Sequence, residues 1–458
     1  MGARLNRRRN SDNLVRKRQI GYASRLGCAA LAMAGAMVAL VALHPEAAAQ
    51  SGKLESSYVV LGGEGAIARA VLSDATECPM IEVGGVARRM SIRARPDAAF
   101  PVLVCEAPIP PGTASAAIQG RGLPLPKPTL AAIAAFGDTG CRLKAGGDLK
   151  KSSHHHDYPE AGEFQDCDRS SEWPFARLSM TAAARTPHLV IHVGDYLYRE
   201  SPCPTGDAGC KGSPFGDNWP TWQADFFRPA APLLAAAPWI MVRGNHEICG
   251  RGGLGYFRFL HPELAREDAP PACVDIIPPY TVEVGGKPFL VMDTSNAEDR
   301  CRVDACVIGR FAADFASLNP KPGTWFLSHR PIWGVGRGFA TNQTLQQALA
   351  KALNGRLPAG IELALSGHLH IFELLSFTDQ RPPQLIVGTG GTALDKKINH
   401  KLDGMTVGDA TVSQGYAERR FGFLMIALQP GGSAATFISP KGKLGFKCAL
   451  TPTSARCD

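Results

Sequence analysis

From about Thr129 onward the chain repeats one pattern. A short apolar, strand-like run ends in a polar, glycine-containing cluster or turn. The runs are Ala131–Phe136, Leu189–Val193, Trp239–Val242, Phe289–Met292, Trp325–Leu327, Ile361–Leu365 and Leu385–Val387. Between them lie stretches of helical character, including Glu172–Ala184, Val307–Leu318 and Leu345–Leu353. Strands that alternate with helices specify an α/β domain with a largely parallel sheet. In such folds ligands gather beyond the carboxyl ends of the strands, where these polar clusters fall.

The segment before this pattern reads differently. Residues 50–122 carry short apolar runs, such as Tyr58-Val59-Val60-Leu61 and Ile67–Leu72, separated by Gly, Asp and Pro and without a helical period. They are expected to form a small all-β domain. Residues 123–130 hold the proline-spaced Leu123-Pro124-Leu125-Pro126-Lys127-Pro128, the sharpest boundary in the chain, and residues 131–458 are the expected catalytic domain.

Residues 1–49 have the order of an export leader. A basic region precedes an apolar run, Gly27–Leu43, and Ala47-Ala48-Ala49 offers a small-residue cleavage site before Gln50. An uncleaved leader would leave a membrane anchor. Eight cationic side chains against Asp12 and Glu46 place +6 of the formal +8 charge in this leader. The remainder is nearly neutral, so the overall charge gives no reason to expect a nucleic-acid partner. Of 13 cysteines, Cys28 lies in the leader. The other twelve pair plausibly as Cys78–Cys105, Cys141–Cys167, Cys203–Cys210, Cys249–Cys273, Cys301–Cys306 and Cys448–Cys457, in keeping with a secreted or periplasmic protein.

Five clusters carry the chemistry: Gly137-Asp138-Thr139-Gly140, Gly194-Asp195-Tyr196-Leu197-Tyr198, Gly244-Asn245-His246-Glu247, His329 after Phe326-Leu327-Ser328, and Gly367-His368-Leu369-His370. Glycine lets the backbone turn off a strand and approach an ion closely. The donors are two carboxylates, a phenol, an amide and imidazoles, a mixture that suits transition metals better than calcium. Each cluster alone is a common turn; their conjunction and order are specific.

That order, GDxG, GDxxY, GNHE, a later His and GHxH, resembles the purple acid phosphatases among the calcineurin-like metallophosphoesterases. The resemblance spans most of residues 131–440. It implies a metallophosphoesterase β-sandwich flanked by helices (αββα), preceded by the small all-β domain. It also implies that Asp138, Asp195, Tyr198 and His370 bind Fe(III), while Asn245, His329 and His368, with Asp195 bridging, bind a divalent Fe, Zn or Mn. Gly140, where many calcineurin-like enzymes have His, fits the purple subgroup. Two departures stand out: Phe326 replaces the usual Val, and Arg330–Asn342 lacks the extra substrate-binding histidines of plant-like members.

The expected reaction is hydrolysis of phosphate monoesters by a metal-bound hydroxide, with a small phosphorylated substrate as partner. His246 is the expected catalytic residue, holding the phosphate and protonating the leaving oxygen. Arg243 and Arg251 are candidates to bind substrate phosphate. The alternative is a phosphodiesterase or nucleotidase on the same metals. His188 and His192 are expected to pack or hydrogen-bond, His154-His155-His156 to lie in an exposed loop, and Asn342-Gln343-Thr344 matches a glycosylation sequon.

Overall fold

The computed structural model describes residues 51–146, 162–266, 271–300, 307–336, 339–340 and 342–458. The leader, the triple histidine and the Cys301–Cys306 pair lie outside the described residues. What is described belongs to one unit, Ala47–Asp458.

Period-two alternation organises the centre. In the strand Ala132–Phe136, Ile133 and Ala135 face one apolar cluster, and Ala134 and Phe136 face another. Leu189–His192 repeats this with Leu189 and Ile191 opposed to Val190, and Trp239–Met241 with Ile240 opposed to Trp239 and Met241. Strands that are apolar on both sides must be covered on both sides. These three run parallel, and with their neighbours they form an eleven-stranded sheet.

A second, eight-stranded sheet has a parallel centre of Lys287–Met292, Thr324–Ser328, Ile361–Ser366 and Gln384–Val387. Val291, Leu327, Leu365 and Val387 meet Ile133, Ile191 and Ile240 between the sheets. Helices Phe175–Ala183, Arg228–Leu234 and Gly253–Phe259 cover the outer face of the large sheet. Ile308–Ser317 and Gln343–Leu353 cover the other. This is the expected αββα sandwich. The three helical stretches read from the sequence are present, each with slightly different ends. Between Trp219 and Leu234 the chain forms a further helical segment with a π-helical turn, Gln223–Phe227, at its centre.

Residues 51–122 are all-β as expected, but they are not a separate domain. Ser51–Gly62 pairs in parallel with Trp239–Met241 at Val60 and Trp239, which extends the large sheet. A bare strand edge is a template for unwanted pairing, and this strand covers it. The proline-rich stretch is not a free linker either, because Leu123 and Leu130 are buried in the inter-sheet core.

Among the described residues, five disulfides join the expected partners: Cys78–Cys105, Cys141–Cys167, Cys203–Cys210, Cys249–Cys273 and Cys448–Cys457. Among the described residues no helix is long and apolar enough to cross a membrane.

Candidate metal centre

All five clusters emerge at the carboxyl ends of parallel strands, three from the large sheet and two from the other. Asp138, Asp195 and His368 have φ of 58°, 61° and 72°, a left-handed conformation that is unfavourable for side chains other than glycine. Such strain persists where the surroundings impose it, and here it falls on three of the expected ligands. Gly244 has no room for a side chain, since a Cβ there would sit 2.1 Å from Asp195 Oδ1. At Gly140 a Cβ would lie 2.7 Å from the Tyr196 carbonyl and the Tyr198 amide.

Two donor groups share one carboxylate. Asp138, Asp195 and His370 offer ligand atoms within 4.8 Å of one another, and so do Asp195, His329 and His368. The Tyr198 hydroxyl joins the first group, 3.1 Å from Asp138 Oδ1, 2.7 Å from Asp195 Oδ2 and 2.9 Å from His370 Nε2. Asn245 Oδ1 joins the second, 2.9 Å from both His329 Nε2 and His368 Nδ1. The seven residues expected to hold metal are therefore brought together. A further grouping, Cys203, Asp207 and Cys210, has its sulfurs committed to a disulfide.

The ring nitrogens turned away from the cavity are anchored. His370 Nδ1 donates to the Ala393 carbonyl and His329 Nδ1 to that of Val193, both at 2.8 Å. His368 Nε2 lies 2.8 Å from Asp299 Oδ2. Each anchor selects the tautomer whose inward nitrogen carries a lone pair, the arrangement a metal-binding imidazole needs.

The protein's own charges fit cations here. Burial, reinforced by the Asp195 charge, pushes the Asp138 carboxyl well above its usual range. Burial opposes charge on Asp195 too, yet the His329 and His246 imidazoles hold it well below that range. Burial and the two carboxylates raise the Tyr198 phenol far above its ordinary value. A buried phenol crowded by two carboxylates is unfavourable alone and suited to a positive ion.

Around this core the other expected residues fall in different places. The His246 amide donates to Asp195 Oδ1 at 2.9 Å, and its ring lies 3.8 Å from that of Tyr198. His246 Nδ1 is 3.0 Å from Glu200 Oε1. Burial, with the Arg251 guanidinium beside it, lowers the imidazole pKa to about 4. Arg251 donates to Glu200 and to the Asn245 carbonyl, with Nη2 2.7 Å from His246 Nδ1. Arg243 is buried and serves as a strut: it donates to the carbonyls of Glu247 and Val274 and to Asp293. His192 is also interior, 2.9 Å from Thr139 Oγ1 and stacked on Tyr196.

Four carboxylates that were not singled out in the sequence support the site. Glu247 accepts the amides of Gly244, Asp195, Tyr196 and Leu197, which shapes the second and third clusters together. Asp225, in the π-helical turn, accepts those of Cys141, Tyr198 and Arg199. Glu200 meets His246, and Asp299 meets His368. Glu247 had a sequence signal, being part of GNHE; Asp225 and Asp299 stand outside every motif.

No curated protein matches this chain. Among solved structures, that of PhoD is similar at a TM-score of 0.50 with 9% identity, covering 89% of this chain and 92% of that one. That is a likeness of fold alone. GAP50, the anchor in the inner membrane complex of Plasmodium, has a TM-score of 0.39 and 16% identity over 70% of this chain and 89% of its own. The profile of the calcineurin-like phosphoesterases matches residues 132–372, the stretch that carries every donor described above. The chain belongs to the calcineurin-like phosphoesterase family, the metal-dependent phosphoesterases.

Proposed function

We propose that the protein is an exported phosphatase of the purple acid type that hydrolyses small phosphate monoesters. The observation that carries this reading is the Tyr198 hydroxyl, set among Asp138, Asp195 and His370 within 3.1 Å of each. A phenol in that position suits Fe(III). On this reading Asp138, Asp195, Tyr198 and His370 would hold the ferric ion. Asn245, His329 and His368, with Asp195 shared, would hold a divalent Fe, Zn or Mn. When bound, the ions would supply Lewis acidity toward phosphate oxygens and an acidified water.

The chain's own groups would do the rest. His246 would hold the phosphate and carry the proton to the leaving oxygen, with Glu200 fixing its Nδ1 side at 3.0 Å. Asp195 would orient the His246 backbone through its Oδ1. Arg251, already paired with Glu200, would keep that carboxylate ionised and so keep the imidazole oriented. The five disulfides support export to an oxidising compartment.

Metal analysis with a visible spectrum of the purified protein tests the reading. A broad charge-transfer band that vanishes in Tyr198→Phe is expected; a colourless protein with only zinc or manganese would overturn the ferric assignment. An aryl monoester and an aryl diester should be assayed side by side. A strong diester preference would move the substrate to the phosphodiesterase class.

A further inference from the structure

We propose that Asp299 is a positioning residue for one of the two ions, acting through His368. The inference rests on the two-ion reading given above. Asp299 belongs to none of the five clusters. It follows the strand Lys287–Met292 in a polar stretch, Thr294–Arg300, and lies 69 residues before the imidazole it meets.

The hydrogen-bond logic around His368 leaves a single arrangement. Nδ1 faces Asn245 Oδ1 at 2.9 Å, on the side of Asp195 and His329, and must present a lone pair there to bind a cation. Nε2 then carries the hydrogen. Two groups lie near it: Asp299 Oδ2 at 2.8 Å and Arg330 Nη1 at 3.2 Å. Guanidinium only donates, so it cannot receive that hydrogen. Asp299 can. Arg330 instead pairs with the other oxygen, Asp299 Oδ1, at 2.8 Å.

Asp299 is itself held in place. The Asn342 side-chain amide donates to Asp299 Oδ1 at 3.0 Å and to the Ala297 carbonyl at 3.0 Å. The Gln343 amide donates to the Asp299 carbonyl at 2.8 Å, and Thr344 Oγ1 to that of Glu298 at 2.8 Å. Asn342 also caps the helix Gln343–Leu353 by accepting from the Leu345 amide. The three residues of the apparent sequon are thus the clip that fixes the Asp299 loop. Asn342 is fully buried, so in the folded protein its amide is out of reach of a glycan.

A carboxylate on the outward nitrogen of a metal-binding imidazole raises its basicity and fixes its ring, and removing one weakens metal affinity on the order of 10–100-fold. The other imidazoles of the site, His329 and His370, use backbone carbonyls for this purpose. The effect of Asp299 should therefore fall on the ion bound by His368 and spare the ion bound by Asp138, Tyr198 and His370.

The test is calorimetric titration of the full metal-stripped protein with zinc, for the parent, Asp299→Ala, Asp299→Asn and Asn342→Ala. The parent should take up two ions. Asp299→Ala should lose roughly 10–100-fold in affinity for one of them. Asp299→Asn should recover part of the loss, because its amide oxygen still accepts the Nε2 hydrogen. Asn342→Ala, which removes one support of Asp299, should weaken the same ion by less than Asp299→Ala does and leave the other ion at parent affinity. Nitrogen-15 shifts of the His368 ring in the metal-free protein should report a single tautomer in the parent and a mixture in Asp299→Ala. Parent-like affinity for both ions in Asp299→Ala, or an equal loss of both, overturns the proposal. A parent that binds fewer than two ions overturns the two-ion reading itself.

Discussion

The Asp225 carboxylate accepts the backbone amide of Tyr198 at 2.8 Å, and through that bond a π-helical turn holds the backbone of the residue whose phenol meets Asp138, Asp195 and His370. The same carboxylate accepts the amides of Cys141 and Arg199 and the Arg199 Nε at 2.6 Å. It therefore joins the loops that follow the first two strand ends. A π-helical turn displaces side chains from their ordinary α-helical positions, and such turns recur at functional sites. Asp225→Ala would leave a buried guanidinium and three amides without their acceptor. The expected loss is roughly 3–5 kcal/mol of folding stability, the usual effect of breaking a buried pair. Denaturant unfolding of parent and variant measures it, and a loss under about 1 kcal/mol would remove Asp225 from this role.

His246 and Glu200 make a separable pair of predictions. The His246 side chain acts next to the metal centre while its backbone amide holds Asp195, so His246→Ala should spare the metals. Turnover is expected to fall roughly 10²–10⁴-fold, the range for a lost general acid. Burial works against charge on Glu200, but Arg251 and His246 hold its carboxyl far below the usual range, so it stays ionised wherever the enzyme works. Glu200→Gln removes the charge and keeps the shape. It should lower kcat more than it raises KM, with metal content unchanged. Metal loss in parallel with activity, in either variant, would mean that the pair maintains the site and does not act in it.

What the sequence made legible, and what it hid, follows from the range of the interactions. Six of the seven donors could be read because they stand in clusters that a glycine opens at the end of an apolar strand, a local signal; His329 follows its strand directly and was legible only by its place in the order of the clusters. Asp299 could not, because its partners His368 and Arg330 come from other strands and nothing local marks it. Asp225 is masked by Pro220, Pro229 and Pro232, which disguise the segment as a loop although two of them open helical turns. Arg243 and Arg251 looked alike beside the third cluster. Only the packed structure separates the strut on Glu247 and Val274 from the arginine that touches His246. The left-handed backbone at Asp138, Asp195 and His368 was hidden too, since none of them is glycine.

Glu373 gives the fold a pH dependence of its own. It is buried in the strand Phe372–Phe377, with Oε1 accepting the Val335 amide at 2.8 Å and Oε2 without a hydrogen-bond partner among the described residues. Burial raises its pKa to about 7, opposed only by that amide. The folded protein therefore takes up a proton that the unfolded chain, titrating near the ordinary 4.5, does not hold. Because the folded value is the higher, the protonated form favours folding. The stability linked to this group is greatest below the unfolded value and is lost as pH rises toward and through about 7. Glu373→Gln mimics the protonated acid and should abolish this loss. Relative to the parent it should gain roughly 2–3 kcal/mol between pH 5 and pH 8. Urea unfolding across that interval decides, and a constant difference between the two proteins would contradict the assignment.

The N-terminal strands should prove inseparable from the catalytic body. Arg69 and Arg93 are fully buried and share Glu106 as counter-ion, at 3.0 and 2.8 Å. Both guanidiniums donate across to the segment that ends the helix Gly253–Phe259: Arg69 to the carbonyls of Phe259 and His261, Arg93 to those of Phe257 and His261. Two buried cations on one carboxylate depend on it heavily, and burial with the neighbouring Arg69 charge already lowers the Arg93 pKa to about 9. Glu106→Gln should therefore cost about 3–5 kcal/mol, the penalty of an uncompensated buried charge. A chain starting at residue 131 would in addition expose the edge of Trp239–Met241 that Ser51–Gly62 covers, and would remove both arginines. Expressed alone it should aggregate, or fail to show a cooperative unfolding transition. A soluble, cooperatively folded product that binds metal like the full chain would show that the sheet closes without its first strands and would restore the two-domain organisation.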